Sequence, residues 1–216
     1  MTGVQRRIHF NDPLWILPRI LTKLHTLWVA AVYPFAYRGK KFSIHSSCDL
    51  ANTGLIHMGS YVTLHRDVWL HAHSSQENAE GRPVLVIRDN TFIGRRTHIS
   101  AKNGIEIGAG VVIAASVLIQ DHGHSFEDIT RPIGEQGDAP GGRIRIGAGS
   151  WIGQGAAIIC DAGELTIGEN CVIGANAVVT RSAPPFSVIS GNPARVVKQF
   201  DAASHKWVLG SVQRIG

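Results

Sequence analysis

The sequence predicts a fold dominated by β structure: a parallel β-helix, in which the chain winds through stacked triangular coils. An aliphatic residue recurs at every sixth position over most of the chain, and Gly, with 24 copies in 216 residues, exceeds its average share. Aromatic residues (7%) and charged residues (17%) are sparse, while 44% apolar residues can build one continuous core. Tight corners and short strands are therefore expected rather than long helices.

The period of six is the main evidence for the coil. Helices repeat roughly every 3.6 residues and half-buried strands about every 2, so a period of six needs flat faces one repeat long. Three such faces make a triangular coil, which buries its aliphatic side chains only by stacking on the next coil. A sandwich of short strands is the alternative, but it needs an alternating pattern that is missing. The series are Ile87, Ile93, Ile99 and Ile105; Ile107, Ile113 and Ile119; Ile146, Ile152 and Ile158; Ile167, Ile173 and Val179.

Breaks in the repeat mark corners where extra residues are inserted. The frame slips by two between Ile105 and Ile107, and CDAGE lengthens the step between Ile158 and Ile167; both fit simple corner bulges. Residues 122–143 contain Gly, Pro and charges but no repeat, and are expected to form a loop thrown out from one edge. The segment 73–83 is a smaller polar excursion. Functional residues often lie on such loops.

The chain divides into an N-terminal helical, basic segment (1–43), the β-helix (44–183) and a C-terminal extension (184–216) with a short helix around 205–212. Asn11-Asp12-Pro13 predicts a helix start, and Pro18 offers a second. The helix's apolar face is expected to pack on the prism or cap its end. The alternative is an interfacial helix at the inner face of the membrane. The apolar face comprises Leu14, Leu17, Leu21, Leu24 and Trp28, and the surrounding cations are Arg6, Arg7, Arg19, Lys23, Arg38, Lys40 and Lys41.

Composition and spacing exclude several classes of function. The net charge is +5, but the basic residues are not interleaved with stacking aromatic residues as in a nucleic-acid platform, so no nucleic-acid partner is expected. Cys48, Cys160 and Cys171 cannot all pair and lack metal-site spacing, which indicates reduced thiols in the cytoplasm and no metal. Charged residues interrupt the apolar stretch 14–35, which argues against a signal peptide or a transmembrane helix. Turns or outer faces, rather than a metal site, are expected for His57, His65, His71 and His73.

The loop opens with QDHGHSFED, which is the most specific chemical signal in the sequence. A His can remove a proton from a hydroxyl near neutral pH, and a carboxylate on its other ring nitrogen fixes the tautomer. His122 and His124 are the candidate bases, and Asp121, Glu127 and Asp128 are candidates for the carboxylate. The alternative is that one or both His are structural. A Cys nucleophile is a rival, but Cys160 and Cys171 occupy small-residue positions of the repeat.

From Ile87 to Phe200 the chain resembles the hexapeptide-repeat acyltransferases, which are left-handed β-helices, and among them the sugar and polysaccharide O-acetyltransferases. The resemblance implies a homotrimer, with acetyl-CoA in a groove between neighbouring prisms and its thioester beside the loop His. Counted without gaps from IAAS, the family's general base falls on His124, two positions beyond His122. The motifs are DHGH and its loop, RPI, IRIGAGSWIGQGA, LTIGENCVIGANAVVTR and PPFSVISGNPARVVKQF.

The resemblance also implies residues for the cofactor. Trp151, Gly153 and Gln154 match the segment that flanks the pantetheine arm, and Ala175 matches the small residue facing it. Cations suit the CoA phosphates because their contacts are charge-assisted. The alternative is that each of these residues is a solvated charge or a packing aromatic. The matches at the nucleotide end are Thr180, Arg181, Arg195 and Lys198.

The acceptor site departs from the family pattern. Sugar acetyltransferases of the galactoside and maltose type place an Asn and an Asp for acceptor hydroxyls, whereas this sequence has Gly94 and no carboxylate near Lys102 and Asn103, the candidate substrate residues. The expected acceptor is therefore a different sugar hydroxyl, in polysaccharide or lipid-linked glycan biosynthesis. The alternatives are N-acetylation of an amino-sugar nucleotide or of serine, and a non-catalytic β-helix scaffold.

Overall fold

The computed structural model describes residues 13–73 and 82–209. Over these residues the chain forms three sheets, A, B and C, which are the faces of a triangular prism. The chain passes from sheet A to B to C and back to A, so strands of successive coils lie side by side and pair in parallel. The predicted fold class, a β-dominated left-handed parallel β-helix with an N-terminal helix, is confirmed.

The elements are short, as expected for coils with faces one repeat long. A helix, α1 (Pro13–Val32), precedes the prism, and 3-10 turns occur at Thr53–Leu55 and Ile133–Glu135. Sheet A contains β1 (Tyr37–Arg38), β4 (Ile56–Met58), β7 (Leu85–Ile87), β10 (Ile105–Ile107), β13 (Gly141–Ile146) and β16 (Ala162–Ile167). Sheet B contains β2 (Ser43–Ile44), β5 (Thr63–Leu64), β8 (Phe92–Ile93), β11 (Val112–Ile113), β14 (Trp151–Ile152), β17 (Val172–Ile173), β19 (Ser187–Gly191), β20 (Ala194–Asp201) and β21 (Lys206–Leu209). Sheet C contains β3 (Asp49–Ala51), β6 (Trp69–Ala72), β9 (His98–Ala101), β12 (Leu118–Gln120), β15 (Ala157–Ile159) and β18 (Val178–Val179).

The aliphatic residues of the repeat form the interior of the prism. Every member of the series is buried, and members one coil apart are in register: Ile87 pairs with Ile107, and Ile107 with Ile146. Burying one such side chain contributes about 1.5–3 kcal/mol. The stacked Ile columns therefore hold the coils together and fix the corners from which functional residues project.

Three of the four breaks in the repeat fall at the corner between sheets C and A, and the fourth lies within a strand of sheet A. Two of the four are not the bulges that the sequence suggested. Ile105 and Ile107 both point inward from β10, because sheet A strands carry two inward residues, two positions apart. The additional residues of CDAGE lengthen β16, whose residues 162–164 pair with residues 141–143 of β13. These insertions extend sheet A instead of interrupting it.

The terminal helices were predicted less well. Leu17, Leu21, Leu24 and Trp28 are exposed, which contradicts the packing of this face against the prism; the side chain of Leu14 lies outside the described part. The smaller, more polar side of α1 packs there instead, through Thr26 and Val29.

The helix predicted around 205–212 is wrong for residues 206–209. They form β21, which pairs antiparallel with β20, while residues 210–212 lie outside the described part. A hairpin extension lets sheet B continue to pair beyond the last coil. Asn11, Asp12, Arg6 and Arg7 also lie outside the description, and the division of the chain at 43/44 and 183/184 stays a prediction. No helix in the described ranges is both long and apolar enough to cross a membrane.

Candidate active site

Polar residues from three coils gather at the corner between sheets C and A. His73 follows β6, Lys102 and Asn103 follow β9, and Asp121 and His122 follow β12. These strands are consecutive neighbours in sheet C. Residues far apart in sequence are therefore stacked one coil above another at this corner.

Asp121 is the buried anchor of the corner. Its carboxylate accepts hydrogen bonds from the backbone N–H groups of Lys102 (2.8 Å), Asn103 (2.9 Å) and Gly104 (2.8 Å). Burial alone would raise the pKa of Asp121, but the hydrogen bonds from His122 and from these three N–H groups outweigh burial and hold the pKa below its ordinary value. Asp121 is therefore a carboxylate at neutral pH, fixed in position.

The imidazole of His122 is held by that carboxylate. Its Nδ1 lies 2.8 Å from Oδ1 of Asp121, and its side chain is only 9% exposed. A carboxylate accepts only, so Nδ1 must carry the proton, and Nε2 of the neutral ring keeps its lone pair. The pair thus has the arrangement of a base oriented by an acid.

His73 is a part of this cluster that sequence reasoning missed. Its ring meets that of His122 edge to face, with centroids 4.7 Å apart, and its Nε2 lies 3.0 Å from Oγ of Ser100. Burial, and then the neighbouring His122, lower the pKa of His73, which favours the neutral ring. The signal that could have found it was the coil register, since His73 and His122 each follow a strand of sheet C.

The loop between β12 and β13 is tied to the same corner. Lys102 Nζ donates to the carbonyl of Ala139 (3.1 Å), and Asn103 Nδ2 donates to the carbonyl of Pro140 (2.6 Å). Gly141 adopts φ +78°, and a Cβ there would collide with the Asp121 carbonyl and the Asn103 side chain. The two candidate substrate residues therefore fix the returning end of the loop.

His124 is placed differently from His122. It pairs with Asp138 across an antiparallel bridge within the loop, its Nδ1 is 3.6 Å from Oδ1 of Asp138, and its side chain is 70% exposed. Among the described residues, the other candidate carboxylates make no hydrogen bond or ion pair with either imidazole: Asp128 accepts from Thr130 in a turn, and Glu127 is exposed. Of the candidates in the loop opening, Asp121 alone makes a hydrogen bond to a His among the described residues.

The candidate cofactor residues lie on two other parts of the prism. Trp151 is exposed on sheet B, and Gly153, Gln154 and Ala175 follow strands of sheet B at the corner with sheet C. A Cβ on Gly153 would strike the backbone of Gly174 and Ala175, so only Gly allows these coils to approach. Within one chain sheet C separates these residues from His122.

The remaining cofactor candidates lie toward the C-terminal end of the chain. Thr180 and Arg181 follow β18 at the corner between sheets C and A, while Arg195 and Lys198 lie on β20. Thr180, Arg181 and Lys198 are exposed, and Arg195 is half-buried with its guanidinium donating to the Ala194 carbonyl (2.8 Å). The chain therefore supplies cations at its C-terminal end, but it does not gather all the candidate residues in one cleft.

The cysteines show no features of a nucleophile. Burial raises the pKa values of Cys160 and Cys171, which disfavours the thiolate. In residues 13–73 and 82–209, no group of three or more His, Cys, Asp or Glu side chains is arranged to hold a metal ion.

Comparison with known proteins identifies the family. The model for the hexapeptide repeat of succinyl-transferase matches residues 84–120 and 143–181. A serine acetyltransferase of Staphylococcus xylosus is 34% identical over 158 residues, covering 69% of this chain and 70% of that protein. The chain belongs to the hexapeptide-repeat acyltransferase family. The expectation that it is an acyltransferase is thereby confirmed.

Two further relatives within this family bear on the function. A probable acetyltransferase of Mycobacterium tuberculosis is 32% identical over 211 residues, covering 93% of this chain, and the match spans 65% of that longer protein. A putative lipopolysaccharide biosynthesis O-acetyl transferase of Escherichia coli, WbbJ, is 29% identical over 170 residues, covering 76% of this chain and 82% of that protein.

The family fold is also seen among solved structures. AntD, an N-acyltransferase from Bacillus cereus in complex with dTDP and 3-hydroxybutyryl-CoA, superposes with a TM-score of 0.65 at 19% identity. The match covers 84% of this chain and 89% of AntD. At this identity the likeness concerns the fold alone.

Proposed function

We propose that this protein is an acetyl-CoA-dependent O-acetyltransferase acting on a sugar hydroxyl in polysaccharide biosynthesis. The observation that carries the proposal is the hydrogen bond between buried Asp121 and His122, at the corner where the loop leaves the prism. Acetyl-CoA is the donor, as in the family's acetyltransferases. The likeness to WbbJ, named for O-acetyl transfer in lipopolysaccharide biosynthesis, supports oxygen as the acceptor atom.

The reaction is a direct transfer. The unprotonated ring nitrogen of the base takes the proton from the sugar hydroxyl, and the oxygen attacks the thioester carbonyl carbon. The tetrahedral oxyanion collapses as the C–S bond breaks, and the imidazolium returns the proton to the departing thiolate. The products are the O-acetyl sugar and free CoA.

We assign the base to His122, oriented by Asp121. Nδ1 donates to Asp121, so in the neutral ring Nε2 is unprotonated, which is the form that a base requires. His124, favoured by the ungapped count from IAAS, is the second candidate; its exposure and its longer distance to Asp138 make it less well oriented. In this scheme Lys102 and Asn103 position the loop through its backbone carbonyls. Neither residue has a carboxylate to offer to a sugar hydroxyl.

The arrangement favours a homotrimer with its sites between chains. In one chain His122 and the pantetheine-flanking residues are a full face apart, so a complete site needs the corner of one chain against sheet B of its neighbour. An exposed apolar row on sheet B, Phe92, Val112 and Trp151 in adjacent strands, supports such an interface. Thr180, Arg181, Arg195 and Lys198 would then meet the nucleotide end of acetyl-CoA.

A mixed-trimer experiment tests this arrangement. Subunits carrying His122→Ala and subunits carrying Ala175→Arg, each inactive alone, are expected to regain part of the activity when assembled together, because some interfaces would combine two intact halves. No recovery in verified mixed trimers would show that both residues act within one chain.

The test of the chemistry is acetyl-CoA turnover, measured by thiol release, with a panel of oligosaccharides and nucleotide sugars. His122→Ala is expected to lower turnover by about 10²–10⁴-fold, the usual contribution of a general base. His124→Ala should lower it less, and the matched control His57→Ala, which removes an imidazole stacked on Tyr37 of sheet A, should leave it unchanged. Full turnover in both loop variants would refute the catalytic role of the loop.

The acceptor panel also separates the alternatives. Preference for an amino-sugar nucleotide or for serine over every alcohol of a glycan would favour N-acetylation of that acceptor; the Staphylococcus relative is named a serine acetyltransferase. Absence of acetyl-CoA binding by calorimetry would favour a scaffold. We place the protein in the cytoplasm, with peripheral contact to the inner face of the membrane through the N-terminal segment, where lipid-linked glycans are assembled.

A further inference from the structure

A pocket of about 720 Å³ lies between α1 and the first two coils, away from the acetyl-transfer corner. Its walls come from α1, from sheet B and from the turns before and after the first strands of sheet B, whereas His122 lies at the corner between C and A. Pro18, Leu27 and Phe42 give it an apolar lining. Nothing in the acetyl-transfer scheme uses this pocket.

Cations surround the pocket from both sides. Arg19 and Lys23 come from α1, and Lys41 and Arg66 come from the coils; no acidic residue of the described chain is among the lining residues. His65 also lines the pocket, and its Nδ1 is buried without a hydrogen-bond partner among the described residues. Clustered cations without a carboxylate among them are suited to an anionic oxygen ligand.

The helix above the pocket is oriented with its apolar side outward. At about 100° per residue, the large exposed side chains share one arc of roughly 160°. Arg19 and Lys23 lie just beyond one edge of this arc, so the cations border the apolar face. The exposed side chains of the arc are Ile16, Leu17, Ile20, Leu21, Leu24, Leu27, Trp28 and Val32, each at least 43% exposed.

This arrangement matches the cross-section of a membrane leaflet. A helix lying in the interface places its apolar face among acyl chains, and residues at the border of that face are level with the phosphates. Inorganic phosphate would need no apolar lining and would leave most of the pocket unfilled. A second copy of the chain could cover the apolar face, but it would not explain why cations without neighbouring acidic residues surround the pocket.

We propose that this pocket binds the phosphate headgroup of an anionic membrane lipid, while the apolar face of α1 lies among the acyl chains. The proposal rests on the membrane contact proposed above, and it is independent of acetyl transfer. Lys41 and Arg66 contact the phosphate from the prism side, Arg19 and Lys23 contact it from the helix, and Leu27 and Phe42 contact the adjoining glycerol and chain.

Vesicle co-sedimentation tests the proposal with the whole protein. Wild type is expected to bind phosphatidylcholine vesicles that contain phosphatidylglycerol more tightly than phosphatidylcholine alone. Arg66→Glu should weaken the former by about fivefold or more, the effect of a cation near the surface. Leu24→Gln should weaken binding to both. The matched controls, Lys206→Glu and Leu209→Gln on exposed β21, should change neither.

A second arm separates a lipid from a free anion. Short-chain phosphatidylglycerol below its micelle concentration should raise the melting temperature of wild type but not of Arg66→Glu, and inorganic phosphate should have no such effect. An equal effect of phosphate would reduce the pocket to an anion site, and equal binding to both vesicle types would overturn the lipid site.

The other outcome concerns the apolar face. If wild type binds no vesicle and Leu24→Gln lowers the mass of the assembly in light scattering, a second copy covers α1 and the lipid proposal is wrong. Turnover with soluble acceptors, measured on the same variants, should stay at the wild-type value. Absence of turnover in the wild-type protein would count against the acetyltransferase proposal and leave the lipid test unaffected.

Discussion

The substitution Asp121→Asn tests whether the buried carboxylate sets the tautomer of His122. The asparagine oxygen can replace the carboxylate oxygen that faces the three backbone N–H groups, and its NH₂ then faces Nδ1 of His122. Nδ1 must accept in that geometry, so the ring proton moves to Nε2 and the base is lost. Turnover is expected to fall by about 10³–10⁴-fold.

The cost in stability follows from the same contacts. Four charge-assisted hydrogen bonds become neutral, each losing about 0.5–1 kcal/mol, so the free energy of unfolding should fall by about 2–4 kcal/mol. For a chain of this length this corresponds to a melting temperature lower by roughly 4–16 °C. The matched control is Asp161→Asn, at the same corner one coil on, where the side chain is exposed and little change is expected.

The pH dependence gives a further check on Asp121. Its pKa in the folded chain is lowered, so its contribution to stability is complete above the unfolded pKa of about 3.9 and is lost as the pH falls through the folded pKa. Wild type should therefore lose stability more steeply in acid than Asp121→Asn does. Unchanged turnover together with an unchanged melting temperature in this variant would refute the reasoning.

Three other perturbations test the same corner. Gly141→Ala should destabilise the chain by about 1–3 kcal/mol and reduce turnover, because the added Cβ meets the Asp121 carbonyl; Gly134→Ala, in the same loop with open space around it, is the control in calorimetry and turnover assays. The pKa of His73 is lowered in the folded chain, so its contribution to stability is complete above pH about 6.5 and is lost as the pH falls through the folded pKa. His73→Gln should therefore flatten the dependence of urea stability on pH in that range. An identical pH profile would contradict the burial of a neutral ring. Deleting residues 161–163 restores a step of six between Ile158 and Ile167, so the cooperative urea transition should persist. Turnover should fall, because residues 141–142 lose the strand with which they pair. Full turnover would show that this pairing is not needed.

Much of the fold could be predicted because every coil buries its aliphatic residues in the same way. Each sixth aliphatic faces the interior, and every coil must stack on the next to bury it, so one periodicity determines sheets, register and core together. The N-terminal helix was also predicted, but not the direction of its apolar face. Periodicity shows that Leu17, Leu21 and Leu24 share a side, and it cannot show whether the prism or something else meets that side.

The candidate site was predictable only in part. The sequence indicated the loop and the group of Asp121, His122 and His124, because a dense polar cluster interrupts an otherwise regular repeat. The ungapped count ranked His124 above His122, but a count along the sequence does not show where the chain turns away from the corner, and the choice between the two stays a prediction. His73 was not predicted as part of the cluster, because its contact with His122 exists only through the stacking of separate coils.

The insertions at the corner between sheets C and A explain how a regular solenoid can present the proposed site at a single edge. A loop returning to the prism leaves backbone groups that must be paired, and the additional residues of β16 supply that partner by matching residues 141–143 of β13. The N–H of Gly142 also donates to the Asp121 carbonyl (2.7 Å), so the pairing reaches the residue that orients His122. The CDAGE insertion lies one coil and about forty residues beyond His122 in sequence. It is best understood as structural support for the loop that we propose to be catalytic, so a break in the repeat that supplies no proposed catalytic residue still bears on the site.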